Sequence, residues 1–167
     1  MLFKASVITV SDRGYRGERQ DRSGQAIQER LPESLFRVID YRIVPDEKDK
    51  IRLALTDAID RLGADLVFTT GGTGLSPRDV TPDATSEVIE KEVPGFGEAM
   101  RAQSMKKTPH AMISRALCGT RKSSLIINLP GSPKGVLECL DVILPALPHA
   151  LSKLKGDPSE CGDPQSP

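Results

Sequence analysis

The chain has no tryptophan and only four phenylalanines and two tyrosines among 167 residues, so it lacks the aromatic supply on which single-stranded nucleic acid stacks its bases. It has no excess of charge of either sign, because 23 lysines and arginines balance 23 aspartates and glutamates. No global field draws it to nucleic acid or to an acidic membrane, and any anion site must be local. Cysteine is scarce: Cys118, Cys139 and Cys161 lie far apart, form no C-x-x-C pair and have two histidines for company. That argues against a zinc centre and fits reduced thiols in a reducing compartment. The apolar run of the N-terminal MLFKASVITVSD is too short to span a bilayer, and no small-residue cleavage pattern follows it. The expectation is a soluble cytoplasmic protein that binds neither nucleic acid nor membrane. Its length suits one domain with its own core.

What is present is an alternation of apolar runs and helical stripes. Lys4 to Val10 is a β-branched run ending in Ser11-Asp12, and a polar, glycine-bearing loop follows from Arg13 to Asp21. Ser23 is placed to cap a helix carrying Ala26, Ile27 and Leu31, closed by Pro32. Leu35 to Val44 is a second strand, ending at Pro45-Asp46-Glu47, and Ile51, Leu55, Ile59 and Leu62 then fall on one helical stripe with Gly63 at its end. A third strand, Asp65 to Thr70, empties into Gly71-Gly72-Thr73-Gly74. Thr81-Pro82-Asp83 opens a short helix through Glu92, with threonine as cap and proline preorganised for the first turn. Phe96 to Lys106 reads as a helix broken at Thr108-Pro109, and Leu125 to Leu129 as a strand emptying into Pro130-Gly131-Ser132-Pro133-Lys134-Gly135. Val136, Leu140, Ile143 and Leu147 mark a closing helix that Pro145 and Pro148 must kink or divide. The polar, Pro/Gly-rich segment 155–167 is expected to be a disordered tail, leaving 1–154 as the domain. Strands alternating with helices imply right-handed crossovers, hence a three-layer, doubly wound α/β sheet, mostly parallel, with helices on both faces. Ligands of such sheets bind outside the carboxyl ends of the strands, and one crevice there should collect the polar and glycine-rich segments.

Successive glycines let a phosphate approach backbone N–H groups without meeting side chains, and Thr69, Thr70 and Thr73 add hydroxyls. The spacing matches neither a Walker A loop nor a G-x-G-x-x-G turn; the plainer alternative is a tight strand exit. Asp46 and Asp79 both sit in turns at strand ends, so they can converge as a Mg²⁺ site of one or two carboxylates plus substrate phosphate, or serve as local turn caps. Asp83, in the first turn of a helix, suits a structural role. Lys134 opposes the dipole of the helix it opens, which an anionic ligand would explain. Arg78 is either a phosphate clamp or a solvated charge, Arg121-Lys122 reads as a solvated pair, and His110 and His149 have no partnered spacing.

The strings VITVSDR (Val7 to Arg13), DRSG (Asp21 to Gly24), VPDE (Val44 to Glu47), TTGGTGLSPRDVTPDAT (Thr69 to Thr85), PGFGEAMR (Pro94 to Arg101), SRALCG (Ser114 to Gly119) and INLPGSPKG (Ile127 to Gly135) together resemble the MogA/MoaB family of molybdenum cofactor biosynthesis proteins. The resemblance is collinear from about Lys4 to Leu154. It implies a molybdopterin adenylyltransferase that takes MgATP and molybdopterin to adenylyl-molybdopterin and pyrophosphate. Position by position, Asp46 and Asp79 match the catalytic, metal-positioning aspartates. Gly71, Gly72, Thr73, Gly74 and Ser76 match the nucleotide-binding loop, and Asn128, Pro130, Gly131, Ser132, Lys134 and Gly135 match the second wall of that pocket. Ser11, Asp12, Asp21, Ser23, Ser114 and Arg115 match the pterin-side segments. The resemblance also implies a homotrimer, for which Phe96, Met100, Met105 and Met112 are candidate face residues with core packing as the alternative use. Because no insertion domain is joined to this one, a separate molybdenum-insertion protein is expected to receive the product. A non-catalytic pterin carrier and a nucleotide hydrolase of the same fold are the competing classes.

Overall fold

The computed structural model describes residues 2–158, and in it strand, polar turn and helix alternate as the sequence pattern predicts. Strands β1 (Phe3–Val10), β2 (Phe36–Val44), β3 (Leu66–Thr70), β4 (Lys91–Glu92), β5 (Cys118–Arg121) and β6 (Ser124–Leu129) form one sheet in the order β2-β1-β3-β6-β5-β4. The pairs β1·β2, β1·β3 and β3·β6 are parallel, whereas β5·β6 and β4·β5 are antiparallel. The register places Thr9 opposite Thr70 and Thr70 opposite Leu129, so β1, β3 and β6 end at one level. That level is where each strand gives way to its polar turn.

Helices cover both faces, because alternate residues of each buried strand point to opposite sides. On one face Ala5, Val7, Phe68, Ile127 and Leu129 pack against α2 (Arg22–Arg30), α5 (Pro94–Met105), α6 (Pro133–Ile143) and α7 (Leu147–Leu154). On the other, Ile8, Val10, Val67 and Ile126 pack against α3 (Lys48–Thr56), the π-helical turn Asp57–Arg61 and α4 (Thr81–Ser86). The expected stripe Ile51, Leu55, Ile59 does face the core, and Gly63, at φ +68°, follows it. The prolines divide the closing helix as expected, with a 3₁₀ turn at Leu144–Ala146 separating α6 from α7. Pro133–Leu154 is long and apolar enough to cross a membrane by composition, but Val136, Leu140, Ile143, Leu147 and Leu151 are buried against the sheet. Met100 is buried in the same core and Phe96 packs at its edge, while Met105 and Met112 are exposed. Cys118 and Cys139 are buried thiols; the tail from residue 159 onward, Cys161 included, lies outside the described residues.

Several local expectations are corrected. The loop from Arg13 to Asp21 begins with a helical turn, α1 (Asp12–Tyr15), capped by Ser11, whose hydroxyl accepts from the Gly14 amide. Asp21, not Ser23, caps α2 by accepting from the Gly24 amide, a carboxylate being favoured at the positive end of the helix. Thr81 lies inside α4 rather than capping it, and α4 ends at Ser86, so Lys91–Glu92 is a strand and not helix. The hairpin β5–β6 was invisible because its strand CGTR is short and polar and its turn runs through Lys122, a non-glycine residue at φ +52°.

Asn128 also takes a different place from the pocket wall expected of it. It is fully buried on β6. Its Oδ1 accepts from the Leu117 amide at 3.1 Å, and its Nδ2 donates to the hydroxyls of Thr69 and Thr85, each at 2.9 Å. These contacts tie β6 to β3, to α4 and to the segment entering β5, and they use both amide hydrogens and one lone pair of the amide oxygen. Asn128→Leu keeps the volume but orphans these buried groups, so urea unfolding should show a loss of about 2–4 kcal/mol.

Candidate active site

Between β3 and α4 the chain makes the Gly71–Gly74 turn, and each of its four carbonyls is bound to the protein. The Gly71 carbonyl accepts from the Thr81 hydroxyl at 2.9 Å and the Gly72 carbonyl from the Thr81 amide at 3.1 Å. The Thr73 carbonyl accepts from the Arg115 amide at 2.9 Å and the Gly74 carbonyl from Arg115 Nε at 3.0 Å. In a trans peptide the N–H points opposite to the C=O, so the amides of Gly72, Thr73, Gly74 and Leu75 face away from α4 and Arg115. Glycine is required for this path: Gly71 sits at φ +98°, where a Cβ would collide with the Val10 carbonyl oxygen. The second glycine turn lies against the first. A Cβ on Gly131 would be 3.3 Å from the Gly71 Cα, and the Thr70 hydroxyl donates to the Pro130 carbonyl at 2.7 Å.

Asp46 and Asp79 both come to this turn. Asp46 Oδ1 lies 3.3 Å from where a Gly72 Cβ would stand, and Asp79 Oδ2 lies 2.8 Å from where a Gly74 Cβ would stand. Each carboxylate has one oxygen on a backbone amide: Asp46 Oδ2 accepts from Asp12 at 2.7 Å and Asp79 Oδ2 from Ser76 at 2.9 Å. Burial pushes the Asp46 carboxyl above its ordinary value; the Asp12 amide opposes this, the charges of Asp12 and Asp79 reinforce it, and Arg78 opposes it. Asp12, expected on the pterin side, is instead the partner of Asp46. Against the cost of burial, the Asp46 amide and the Arg78 guanidinium hold its carboxyl below the usual range. Among the described residues no three His, Cys, Asp or Glu side chains form a cation cage. Asp46 and Asp79 are two carboxylates beside the turn, a donor set that a ligand's own oxygens could complete around a cation. Arg115, also expected beside the pterin, is a clamp on the turn: besides the Thr73 and Gly74 carbonyls it holds the Asp79 carbonyl and pairs with Asp83 at 2.9 Å.

The single expected crevice is two cavities on either side of the ridge where the glycine turns meet. The first, about 350 Å³, is lined by Thr9, Ser11, Asp21, Ser23, Thr70, Gly71, Gly131 and Ser132, and by Arg19, Gln20 and Arg22. The second, about 270 Å³, is lined by Thr73, Gly74, Met100, Ser104, His110, Ser114, Pro130, Ser132, Gly135 and Cys139 among others. Ser114 is thus separated from the other pterin-side residues. Ser76 and Lys134 are exposed and line neither cavity. Asp21 faces the first cavity but is committed to the fold. Its carboxylate accepts from the hydroxyls of Thr9, Tyr41 and Ser23 and from the Gly24 amide. A Gly24 Cβ would collide with that carboxylate, which explains the glycine of DRSG. Arg13, Arg16, Arg19 and Arg22 recur at every third position and are all exposed, and that regularity does not distinguish the two that line the cavity, Arg19 and Arg22. His110 faces the second cavity although its spacing suggested no role.

Residues 6–149 match the molybdenum cofactor biosynthesis family described as "Probable molybdopterin binding domain". The chain is 48% identical over 153 residues to a molybdopterin adenylyltransferase of Helicobacter pylori strain J99, covering 90% of this chain and 87% of that one. It is 42% identical over 141 residues to the Escherichia coli K12 molybdopterin adenylyltransferase, covering 83% and 72%. Among solved structures, the molybdopterin biosynthesis enzyme MoaB of Thermus thermophilus superposes with a TM-score of 0.88 at 51% identity, covering 95% of this chain and all of that one.

The Gly71→Ala variant should lose about 1–3 kcal/mol in chemical denaturation from backbone strain, whereas Gly95→Ala, where a Cβ meets nothing within 4 Å, should not. Asp21 carries a pH prediction. Although burial opposes it, the Thr9 and Tyr41 hydroxyls, the Gly24 amide and the Ser23 hydroxyl hold its carboxyl below the ordinary value. A depressed folded pKa contributes stability that is complete above the unfolded value of about 3.9 and is lost as pH falls through the folded value. In thermal melts from pH 6 to pH 2, Asp21→Asn should therefore start lower and fall less steeply below about pH 4 than the parent.

Proposed function

The chain belongs to the family of molybdopterin-binding domains of molybdenum cofactor biosynthesis, and from that membership we propose that it is a molybdopterin adenylyltransferase acting on MgATP and molybdopterin. The observation that carries this reading is that the Gly71–Gly74 turn runs from one cavity to the other with Asp46 and Asp79 beside it. Two substrates whose phosphates must meet are accommodated by two compartments divided by an amide-bearing turn.

In this reading the first cavity takes molybdopterin. Its polar lining suits the hydrogen-bonding pterin, and Arg19 and Arg22 suit the terminal phosphate. The second, more apolar cavity takes the adenosine moiety, with Thr73, Gly74, Pro130, Ser132 and Gly135 against it. Amides of the turn, directed away from the bound carbonyls, hold the phosphates and cost no reorganisation as charge moves. An oxygen of the molybdopterin phosphate attacks the α-phosphorus of ATP. A new P–O bond forms, the bond to the β-phosphate breaks, and pyrophosphate leaves with the electron pair. Positioning and charge neutralisation are most of what such a transfer requires. Asp46 and Asp79 would hold Mg²⁺ through the carboxylate oxygens not engaged by amides, and the ion would supply charge neutralisation at the phosphate oxygens.

Residues 1–154 constitute the adenylyltransferase domain in this reading, a cytoplasmic location suits the reduced thiols, and the product passes to a separate molybdenum-insertion protein. A homotrimer would cover the exposed Met105 and Met112.

Purified protein given MgATP and molybdopterin should release pyrophosphate, and Asp46→Asn and Asp79→Asn should each lower kcat on the order of a hundredfold or more, the scale of losing one electrostatic stabiliser of a transition state. Pterin binding with no pyrophosphate release would instead identify a carrier, and nucleotide hydrolysis without pterin a hydrolase.

A further inference from the structure

Asp46 lies just beyond β2 and Asp79 in the turn beyond β3, and nothing covalent sets their separation. We propose that Asp12 and Arg78 act as one positioning unit that fixes Asp46 against the Asp79 loop, an inference that rests on the reading of Asp46 and Asp79 as the cation-holding pair. Asp12 and Asp46 form a closed ring of two hydrogen bonds: the Asp12 amide donates to Asp46 Oδ2 at 2.7 Å, and the Asp46 amide donates to Asp12 Oδ1 at 3.0 Å. The ring fixes the Asp46 rotamer and engages Oδ2 alone.

The outer side of Asp12 is held by Arg78. Its Nη2 donates to both carboxylate oxygens at 2.9 Å, and its Nε donates to Oδ2 at 3.1 Å. Arg78 immediately precedes Asp79, whose carboxylate is pinned to the Ser76 amide and whose amide donates to the Ser76 carbonyl at 2.8 Å. The ion pair therefore links the loop that presents Asp79 to the helical turn that orients Asp46. A planar guanidinium gripping both oxygens transmits orientation as well as charge, which a lysine at this position could not do. The Arg78 side chain is 56% exposed, and a single ion pair in that setting adds little to global stability. Its consequence is local geometry. The charges of Asp12 and Asp79 both act on Asp46, and Arg78 hydrogen-bonds Asp12, which lies outside the cation-holding pair.

This arrangement differs in outcome from two simpler uses of the same residues. If Asp12 itself met the cation or the pterin, its removal would act alone and Arg78 would be dispensable for cation binding. If Arg78 met a phosphate, its removal would raise KM for ATP and leave cation affinity unchanged.

The test compares Asp12→Asn, Arg78→Gln and the double variant, with Asp46→Asn alongside, in the full chain. Mn²⁺ affinity is measured by electron paramagnetic resonance in the presence of α,β-methylene ATP, and kcat and KM are measured with MgATP and molybdopterin. Both single variants should weaken Mn²⁺ binding about tenfold or more, the scale of losing a group that orients a ligand. The double variant should be no worse than the poorer single, because the two residues act as one unit. kcat should fall while KM for molybdopterin stays constant, with the urea midpoint within error of the parent. Unchanged Mn²⁺ affinity in both single variants, or loss in Asp12→Asn alone, or additive losses in the double, would overturn the proposal. Undiminished Mn²⁺ binding in Asp46→Asn would defeat the cation reading beneath it, whereas loss in Asp46→Asn with normal binding in both single variants defeats only the positioning unit.

Discussion

The site depends first on where the carbonyls of Gly71, Gly72, Thr73 and Gly74 go. Buried or semi-buried carbonyls must be paired, and here two residues do it, Thr81 from the start of α4 and Arg115 from the segment that precedes β5. Once those four oxygens are turned into the protein, planarity turns the following amides out. An anion-receptive surface is thus the reverse side of a satisfied backbone. It requires no basic side chain in the turn itself, so a local anion-receptive surface is compatible with a net charge of zero.

Two arginines serve this arrangement without facing either cavity. Arg115 collects the Thr73, Gly74 and Asp79 carbonyls and the Asp83 carboxylate, and so joins the glycine turn to α4. Arg78 answers Asp12 from the other side. Arg19 and Arg22, in contrast, line the first cavity. The chain uses its positive charge in two ways, some to hold backbone geometry and some at the cavity wall, and residue type does not reveal which use applies at a given position.

Much of the architecture was legible in the sequence because the central parallel strands β1, β3 and β6 are buried on both faces and read as continuous apolar runs, while the helices read as stripes. The antiparallel edge was not legible. CGTR and KE are short and carry no alternation; CGTR becomes a strand only because β6 offers it an edge, and KE only because β5 does. Cap positions were misread by one or two residues at Ser23 and Thr81, since Asp21 and Val80 compete for the same role and the tertiary hydrogen bonds of Asp21 and Thr81 decide between them. At the site, the glycine turn, Asp46 and Asp79 stood where the strand ends foretold. Asp12, Arg115 and Asn128 matched motif positions yet turned out to bind other protein groups, because a motif records which residue is present and not which way it faces.

The sequence by itself determined the order of the parallel strands and of the helices between them, the parallel core, the strand ends as the location of polar chemistry, and glycine at the turn, since each follows from local sterics and hydrophobic period. Only the tertiary structure decided that one crevice is two cavities, that Asp12 answers Asp46 while Arg115 holds the loop, and that Asn128 is a bracket in the core. Those outcomes depend on hydrogen bonds between segments distant in the chain, whose pairing is set by the register of strands and the packing of helices and leaves no periodic trace along it.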